Sequence, residues 1–340
     1  MNSTFKIRWE GLWFFGFRPL AVGLVACVFL ASLVGAGAKT LGEMMIEMGY
    51  TPVKMQLAGN HWYVDVKLNG RTKRAGVDTG STMCAVDNGI AGKLPRVGAA
   101  EIAGAKKFKR DVALIEKLEL GSAVFTNVTA TVAELREPWE GRVPTGSHIA
   151  QRCSKEAILG KAFLERSHSI LHVAARMLYL RVDAPTATQT NLLAKTFAVS
   201  GMTNVPLGGF GPNVWIVRAK FNGHAAMLLL DTGTFATEID STSAKSWGIT
   251  GQHSKMGAIG TDNRQSSTML TKVELLEVCG CRLVNYPVGV GDLTPWGIGA
   301  KFHSDHQIDG LVGNDVLARA NSILDCGSGL LWVVPTTITE

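Results

Sequence analysis

The sequence predicts an all-β protein built from two copies of one folding unit. Three observations carry this prediction: one offset recurs between the two halves of the chain, strand-length segments are separated by glycine or Asn-Gly turns, and helical segments are short. The chain has 340 residues, of which 46% are hydrophobic, so each copy is large enough to bury a core.

The internal repeat has an offset of 153 residues, the separation of Asp78 from Asp231. The same offset is kept from the beginning of each copy to its end, across more than a hundred residues, and only the middle slips by a few residues. A chance match between two short motifs does not keep its register over such a distance. The matched pairs are Trp62 with Trp215, Asn69-Gly70 with Asn222-Gly223, Leu159-Gly160 with Val312-Gly313, and Ser169-Ile170-Leu171 with Ser322-Ile323-Leu324.

Each copy contains short β-rich segments, and the Asn-Gly pairs between them are typical of hairpin turns. Helix is predicted only after Gly160 and Gly313, in residues 161–166 and 314–320. The predicted strands are 62–68, 113–120 and 124–132 in the first copy and 214–221, 226–230 and 272–278 in the second.

The chain is predicted to divide into four parts. Residues 1–38 are a signal peptide or membrane anchor, residues 39–183 the first lobe, residues 184–194 a linker and residues 195–340 the second lobe. The linker is predicted because the join, Asp183 to Thr190, is polar and contains proline.

The N-terminal segment has the composition of an export signal. Basic residues precede an apolar stretch from Leu20 to Val34, and Ala36-Gly37-Ala38 is a small-x-small cleavage site. Cleavage after Ala38 predicts a periplasmic or secreted protein. Two alternatives stay open: an uncleaved inner-membrane anchor over residues 12–38, and lipid attachment at Cys27.

The charge argues against a nucleic-acid-binding protein, and the cysteine content leaves one or two disulfide bonds open. The formal net charge of +6 is modest, and the only tight basic run, residues 106–110, fits a solvated hairpin better than a nucleic-acid surface. The five cysteines after the export signal are spread unevenly and define no disulfide framework.

An apolar strand in each copy ends in the same tripeptide, Asp78-Thr79-Gly80 and Asp231-Thr232-Gly233. One such tripeptide is common by chance and fits a turn or a helix cap equally well. Two of them stand at equivalent positions of a duplicated chain, each followed about 80 residues later by an apolar-apolar-Gly element. We therefore interpret the pair as one site, with a contribution from each copy.

In these motifs the chain resembles the aspartic peptidases, and specifically a fused pair of retropepsin-like units. The resemblance covers nearly all of the chain after the export signal. It implies the acid protease fold, with two pseudo-symmetric β-barrel lobes and the active-site cleft between them. It also implies that Asp78 and Asp231 are catalytic, that Thr79 and Thr232 lock the two loops through hydroxyl-to-backbone bonds, and that Gly160 and Gly313 back those loops.

Paired carboxylates of this kind have a defined chemistry. Close together they cannot both ionise, so one acts as general base on a shared water and the other polarises the peptide carbonyl. Gly80 and Gly233 allow the tight turns that let both carboxylates face one water, and the hydroxyls of Ser81 and Thr234 are expected to donate to the outer carboxylate oxygens. Hairpins around Gly104 and Gly260 are the candidate covers of the cleft.

The predicted function is an aspartic endopeptidase that acts on peptides or proteins as a monomer and needs no metal, organic cofactor or nucleic acid. Two alternatives remain open. One is a peptide-binding or scaffolding protein that kept the fold without turnover, and the other is a peptidase active only as a dimer.

Overall fold

A computed structural model of the chain describes residues 39–102, 108–135, 155–209, 214–234, 236–259, 265–294, 298 and 307–339. Both sequence repeats lie within one compact unit, Gly42–Glu340.

The described residues form short strands and shorter helices. The helices are α1 (Leu41–Glu47), α2 (Asn88–Ala91), α3 (Lys161–Arg166), α4 (Ala187–Val199), α5 (Ser241–Ser246) and α6 (Asn314–Arg319). The strands of the first repeat are β1 (Thr51–Lys54), β2 (Gln56–Ala58), β3 (His61–Leu68), β4 (Arg71–Asp78), β5 (Cys84–Asp87), β6 (Arg96–Ile102), β7 (Phe108–Leu120), β8 (Ala123–Ala133), β9 (Ala157–Gly160), β10 (Ile170–His172) and β11 (Met177–Leu180). Those of the second repeat are β12 (Thr203–Pro206), β13 (Gly208–Gly209), β14 (Trp215–Phe221), β15 (His224–Leu230), β16 (Glu238–Asp240), β17 (Gln252–Ile259), β18 (Gln265–Val278), β19 (Cys281–Gly291), β20 (Gly310–Val312), β21 (Ile323–Asp325), β22 (Leu330–Val333) and β23 (Thr337–Thr339).

Two large sheets repeat the same strand order and define the two lobes. The first lobe is built on the sheet β2-β3-β4-β9-β5-β8-β7-β6, and the second on β13-β14-β15-β20-β16-β19-β18-β17, with β23 beside β19. In each lobe the strand before the active-site loop pairs in parallel with the strand that ends in the apolar-apolar-Gly element, β4 with β9 and β15 with β20. The predicted all-β, two-lobed architecture is confirmed.

A third sheet joins the lobes and takes three strands from each repeat, in the order β1-β11-β10-β21-β22-β12. Its central pair is antiparallel, with Leu171 opposite Leu324. These two residues are equivalent in the repeat, so the pseudo-twofold relationship between the copies passes between them. This sheet pairs β10 with β21 from the far end of the chain, which the sequence pattern alone does not predict.

Both predicted Asn-Gly turns are confirmed. Asn69 and Gly70 have φ values of 46° and 80°, and Asn222 and Gly223 have values of 49° and 87°. Two consecutive positive φ values match the right-handed twist of a two-residue hairpin, and asparagine and glycine adopt them most easily. Each turn therefore fixes the register of the hairpin that leads into an active-site loop.

A common apolar core fills both lobes, and the repeated tryptophans Trp62 and Trp215 are buried in it. Burial of apolar surface from both repeats in one cluster ties the lobes together, because separation would expose it to water.

The prediction that helix is limited to the segments after Gly160 and Gly313 is wrong. Helices α2 and α5 also form, each begun by an aspartate that accepts a hydrogen bond from the first turn: Gly89 N donates to Asp87 Oδ1, and Thr242 N to Asp240 Oδ1. Aspartate is among the preferred N-cap residues, and this local signal outweighs the strand pattern around it.

The segment predicted as a linker, residues 184–194, also contains helix, because α4 begins within it and continues to Val199. A capping box starts α4, in which Thr186 and Gln189 exchange side-chain and backbone hydrogen bonds. The helix is held down by its apolar face, where Phe197 packs against Trp332 with ring centroids 5.3 Å apart.

Several predicted features lie outside the described residues: the export signal or anchor of residues 1–38 with Cys27, both candidate covers Gly104 and Gly260, and Cys153. None of the helices in the described ranges combines the length and apolar character needed to cross a bilayer. Cys84, Cys279, Cys281 and Cys326 are buried free thiols.

Candidate active site

The two Asp-Thr-Gly motifs meet where the lobes join. Asp78 is the last residue of β4, and Asp231 directly follows β15, so each aspartate leaves its sheet at the same point of the fold. Asp231 N donates to Val312 O at 3.0 Å, which anchors the second loop to β20 as it leaves the sheet.

The threonines of the two motifs bind each other's loops. Thr79 N donates to Thr232 Oγ1 at 3.0 Å, and Thr232 N donates to Thr79 Oγ1 at 3.0 Å. Each hydroxyl in turn donates to a backbone carbonyl of the opposite lobe, Thr79 to Leu230 O at 2.8 Å and Thr232 to Val77 O at 2.9 Å. Both threonines are fully buried, so these four bonds are shielded from water and fix the distance between the loops.

The glycines of the motifs lie against the aspartates of the opposite lobe. An ideal Cβ on Gly80 would lie 2.5 Å from Asp231 Cγ, and one on Gly233 would lie 2.4 Å from Asp78 Cγ. No side chain fits at either position, because real carbon atoms do not approach so closely. The absent Cβ atoms let the two carboxyl groups come within reach of a mutual hydrogen bond.

Backbone amides hold each carboxylate in place. Ser81 N donates to Asp78 Oδ1 at 3.0 Å, and Gly233 N donates to Asp231 Oδ1 at 2.7 Å. A hydrogen bond from an amide to an ionised carboxylate is charge-assisted and therefore strong. Whichever of the two aspartates is ionised is thus held in a fixed orientation.

The prediction that the hydroxyls of Ser81 and Thr234 bind the carboxylates is wrong. Ser81 Oγ donates to Met83 O at 2.9 Å, and Thr234 Oγ1 donates to Ala236 O at 3.2 Å. A serine or threonine hydroxyl in a tight turn readily bonds the carbonyl two residues ahead, and that local bond uses its single donor. These side chains therefore brace the loops, whereas backbone amides serve the carboxylates.

Burial and the neighbouring charge change the acidity of the pair. Burial first, and then the Asp78 carboxylate, raise the pKa of Asp231 from its usual range to about 8. Lys155 opposes this shift from nearby. A pair in this environment retains one proton well above the usual range of a carboxylic acid.

The apolar-apolar-Gly elements back the loops as the resemblance implies. Gly160 is opposite Asp78 in the parallel pairing of β4 and β9. An ideal Cβ on Gly160 would lie 2.2 Å from Met83 O, and one on Gly313 would lie 2.9 Å from Ala236 O. Each glycine thus lets the backing strand touch the loop backbone directly.

The residues that follow these glycines link the lobes, a role that the sequence interpretation missed. Asn314 is fully buried and donates through Nδ2 to Thr232 O at 2.8 Å and to Asn60 O of the first lobe at 2.9 Å. Its equivalent in the first repeat, Lys161, forms an ion pair with Glu165 at 2.5 Å, and its ammonium lies 4.8 Å from the ring centroid of Trp215 in the second lobe. The sequence signal for this linking role is the position of both residues directly after the repeated glycines.

Two other side chains near the carboxyl pair were also missed, His61 and Lys155. His61 Nδ1 lies 2.8 Å from Gly59 O, and the imidazole also has a hydrogen-bond contact with the backbone of Gly233. Burial first, and then the charge of Lys155, lower the pKa of His61 to about 4. The imidazole next to the pair is therefore neutral over most of the pH range.

The predicted candidate covers lie outside the described residues, but the strands beside them are paired. Ile102 of β6 is opposite Phe108 of β7, and Ile259 of β17 is opposite Gln265 of β18. No set of three or more His, Cys, Asp or Glu side chains is placed to bind a metal ion within the ranges that the structure describes.

Comparison with known proteins matches one family model to both repeats. The family model described as "Aspartyl protease" matches the chain twice, at residues 64–163 and 217–316, once in each repeat. Among solved structures, an aspartic proteinase from Irpex lacteus is 13% identical, with a TM-score of 0.47, over 84% of this chain and 97% of its own. A retropepsin-like aspartic protease from Rickettsia conorii is 15% identical, with a TM-score of 0.30, over 38% of this chain and 98% of its own. None of the curated proteins compared with the chain matches it.

Proposed function

The chain belongs to the aspartyl protease family, and we propose that it is an aspartic endopeptidase in which Asp78 and Asp231 activate one water molecule between them. The observation that carries this proposal is the reciprocal packing of Gly80 on Asp231 and of Gly233 on Asp78. It holds a carboxyl group from each lobe face to face, as a two-carboxyl mechanism requires.

The reaction follows from a pair that shares one proton. The ionised carboxylate removes a proton from the water, whose oxygen adds to the peptide carbonyl carbon, while the protonated carboxyl donates its proton to the carbonyl oxygen. When the tetrahedral intermediate breaks down, a proton passes to the leaving nitrogen. The raised pKa of Asp231 supports a pair that keeps this proton at neutral pH.

The surrounding bonds favour this chemistry because they remove freedom from both carboxyl groups. The amides of Ser81 and Gly233 orient them, and the buried threonine bonds fix the separation of the two loops. Groups already held in the reactive geometry do not lose entropy when the substrate reacts.

We also propose that the active species is a monomer, since both halves of the site come from one chain. Within one chain, the two lobes are already joined by the shared sheet and by the threonine hydrogen bonds. The active fraction should therefore elute from size exclusion at the mass of one chain. Activity confined to a dimer fraction would contradict this.

Residues 1–38 are proposed to direct export, with cleavage after Ala38. The support is the order of basic residues, apolar stretch and small-x-small site. Sequencing the N-terminus of the protein recovered from the periplasm or medium tests this, and a mature chain that begins at Lys39 is expected. Full-length protein in the membrane fraction would instead favour the anchor over residues 12–38.

The test of activity uses the purified chain, a complex peptide mixture and mass spectrometry of the products over a range of pH. Asp78→Asn and Asp231→Asn should each reduce turnover to a few per cent or less, because a base and an acid are both required. A statine-type mimic of the tetrahedral intermediate should inhibit the unaltered chain. Cleavage that survives either substitution would contradict the proposal, and peptide binding without any cleavage would favour the scaffolding alternative.

A further inference from the structure

The sheet face that carries each catalytic aspartate can be identified from the strand register. Side chains alternate along a strand, so Gly76 and Asp78 project from the same face of β4. Tyr63 of β3 and Ile158 of β9 are directly opposite Gly76 and share that face. In the second lobe the same reasoning places Ile216, Leu229 and Leu311 on the face of Asp231. We call the pair of Asp78 and Asp231 the dyad, and these surfaces the first and second dyad faces.

The two dyad faces differ in chemistry at positions that the repeat makes equivalent. The second face is an apolar cluster that includes Val214, Ile216, Leu229 and Ile308. The residues at the same four positions of the first face, 153 residues earlier, are His61, Tyr63, Gly76 and Lys155. At these four positions the duplicated chain is apolar on one side of the carboxyl pair and lacks that apolar set on the other, although Ile158 keeps the apolar character of Leu311 there.

Gly76 gives Lys155 room to lie along the first dyad face. An ideal Cβ on Gly76 would lie 3.2 Å from Lys155 Cδ and 4.0 Å from its Nζ. Leucine occupies the equivalent position of the second lobe, and a leucine at position 76 would displace the lysine side chain. The lysine stem therefore packs over β4 two residues before Asp78, with its ammonium close to the pair.

The charge of Lys155 acts on the active site, although none of the described residues forms an ion pair with it. It lowers the pKa values of Asp231 and of His61, which places the ammonium near both groups. Within the part of the chain that the structure describes, Lys155 makes no hydrogen bond and no ion pair. The side chain is only partly exposed. The carboxyl pair is a counter-charge for this ammonium but forms no ion pair with it, so an incoming carboxylate can bind the ammonium directly.

We infer that Lys155 is a specificity-determining residue, whose ammonium binds the carboxylate of an aspartate or glutamate in the substrate next to the scissile bond. This inference rests on the proposed peptidase function. The acidic residue lies over the first dyad face. The substrate class is therefore a peptide with an acidic side chain next to the cleavage point.

The test compares matched peptides that carry glutamate or glutamine at each position around the cleavage point, above pH 5, where peptide carboxylates are ionised. The unaltered chain should prefer glutamate at one position by about five- to tenfold in kcat/KM, as a partly buried ion pair allows. Lys155→Met should abolish that preference, and Lys155→Glu should reverse it towards lysine. Lys220→Met, at an exposed strand position of the second lobe, is the matched control and should change nothing.

A second measurement keeps the inference independent of catalysis. The same peptides are titrated into the Asp78→Asn chain with and without Lys155→Met, and the ratio of their dissociation constants is measured. Loss of the glutamate preference with the lysine supports the inference. Equal preferences in the two backgrounds, or cleavage without any acidic preference, would overturn it while leaving the peptidase proposal intact. A lysine that only changes the acidity of the pair would shift the pH profiles of both peptides equally.

Discussion

Gly233 of the second lobe lies against the carboxyl group of Asp78 in the first, so closely that an ideal Cβ on the glycine would lie 2.4 Å from Asp78 Cγ. Gly80 has the reciprocal contact with Asp231. Each lobe therefore supplies one acid and also the space for the other lobe's acid. The cross-lobe contact explains why both glycines are needed, beyond the flexibility of a turn.

The first prediction follows from that contact. Gly233→Ala should reduce kcat by at least about 100-fold, because the methyl group must push Asp78 away from Asp231, and small displacements of reacting groups cost about this much. The measurement is kcat on a peptide substrate, with thermal unfolding followed in parallel. Gly92→Ala is the control, since that glycine has a φ of −60° and an added Cβ there would have no atom within 4 Å. Full activity in Gly233→Ala would contradict the packing.

A second prediction concerns the hydroxyl groups beside the pair. Because Ser81 and Thr234 donate to backbone carbonyls, the Ser81→Ala, Thr234→Ala double variant should leave the acid limb of the kcat/KM profile in place. It should lose about 1–3 kcal/mol of unfolding free energy, since two loop-bracing bonds are removed. A pH series of kcat/KM with denaturant unfolding measures both effects. An upward shift of the acid limb would mean that the hydroxyls do bind the carboxylates.

The third prediction tests the link that Asn314 makes between the lobes. Asn314→Ala should destabilise the chain by about 2–4 kcal/mol, because the buried carbonyl of Thr232 and the part-buried carbonyl of Asn60 both lose the bond from this side chain. Asn314→Asp should cost at least as much, since it replaces that donor with an acceptor of nearly the same shape. Denaturant unfolding measures both. An aspartate variant as stable as the unaltered chain would show that the two bonds contribute nothing.

Much of the fold and of the candidate site could be predicted because the repeat doubles every signal. The Asn-Gly turns, the strands leading to Asp78 and Asp231, and the short helices after Gly160 and Gly313 depend on local sequence, and each occurs twice. The predicted bonds of Thr79 and Thr232 also occur in the structure.

What could not be predicted depends on distant contacts or on competition between local bonds. The shared sheet needs β10 and β21 to meet from equivalent points of the two repeats, 153 residues apart in the chain. The sequence allows the Ser81 hydroxyl to bond either the Asp78 carboxylate or the carbonyl of Met83. The conformation of the loop selects Met83 O. The contrast between Lys155 and Ile308 is visible in the repeat, but its meaning depends on knowing that both lie on a dyad face.

The last prediction concerns a carboxyl group that the proposed mechanism does not use. Glu238 is 2% exposed in the second lobe, and Oε2 has no hydrogen-bond partner among the described residues. Burial, and then the charge of Asp315, raise the pKa of Glu238 from 4.5 to about 7. Alanine, Ala85, occupies the equivalent position of the first lobe. The folded chain therefore contains a glutamate that favours its neutral form.

The sign of the effect on stability follows from this raised pKa. Below pH 4.5 the glutamate is protonated in both folded and unfolded chains, so the folded state bears no charge penalty. Between pH 4.5 and about 7 the unfolded chain ionises first, and folding stability falls until the folded group also ionises.

Glu238→Gln keeps the shape and removes the titration, so this variant should gain about 1–3 kcal/mol over the unaltered chain between pH 4 and pH 8. Asp231 titrates in both proteins and cancels in the comparison. Unfolding free energies at pH 4, 6 and 8 measure the difference, with Glu116→Gln at an exposed strand position as the control. Parallel stability curves for the Glu238→Gln and unaltered chains would mean that Glu238 ionises as freely in the folded protein as in the unfolded one.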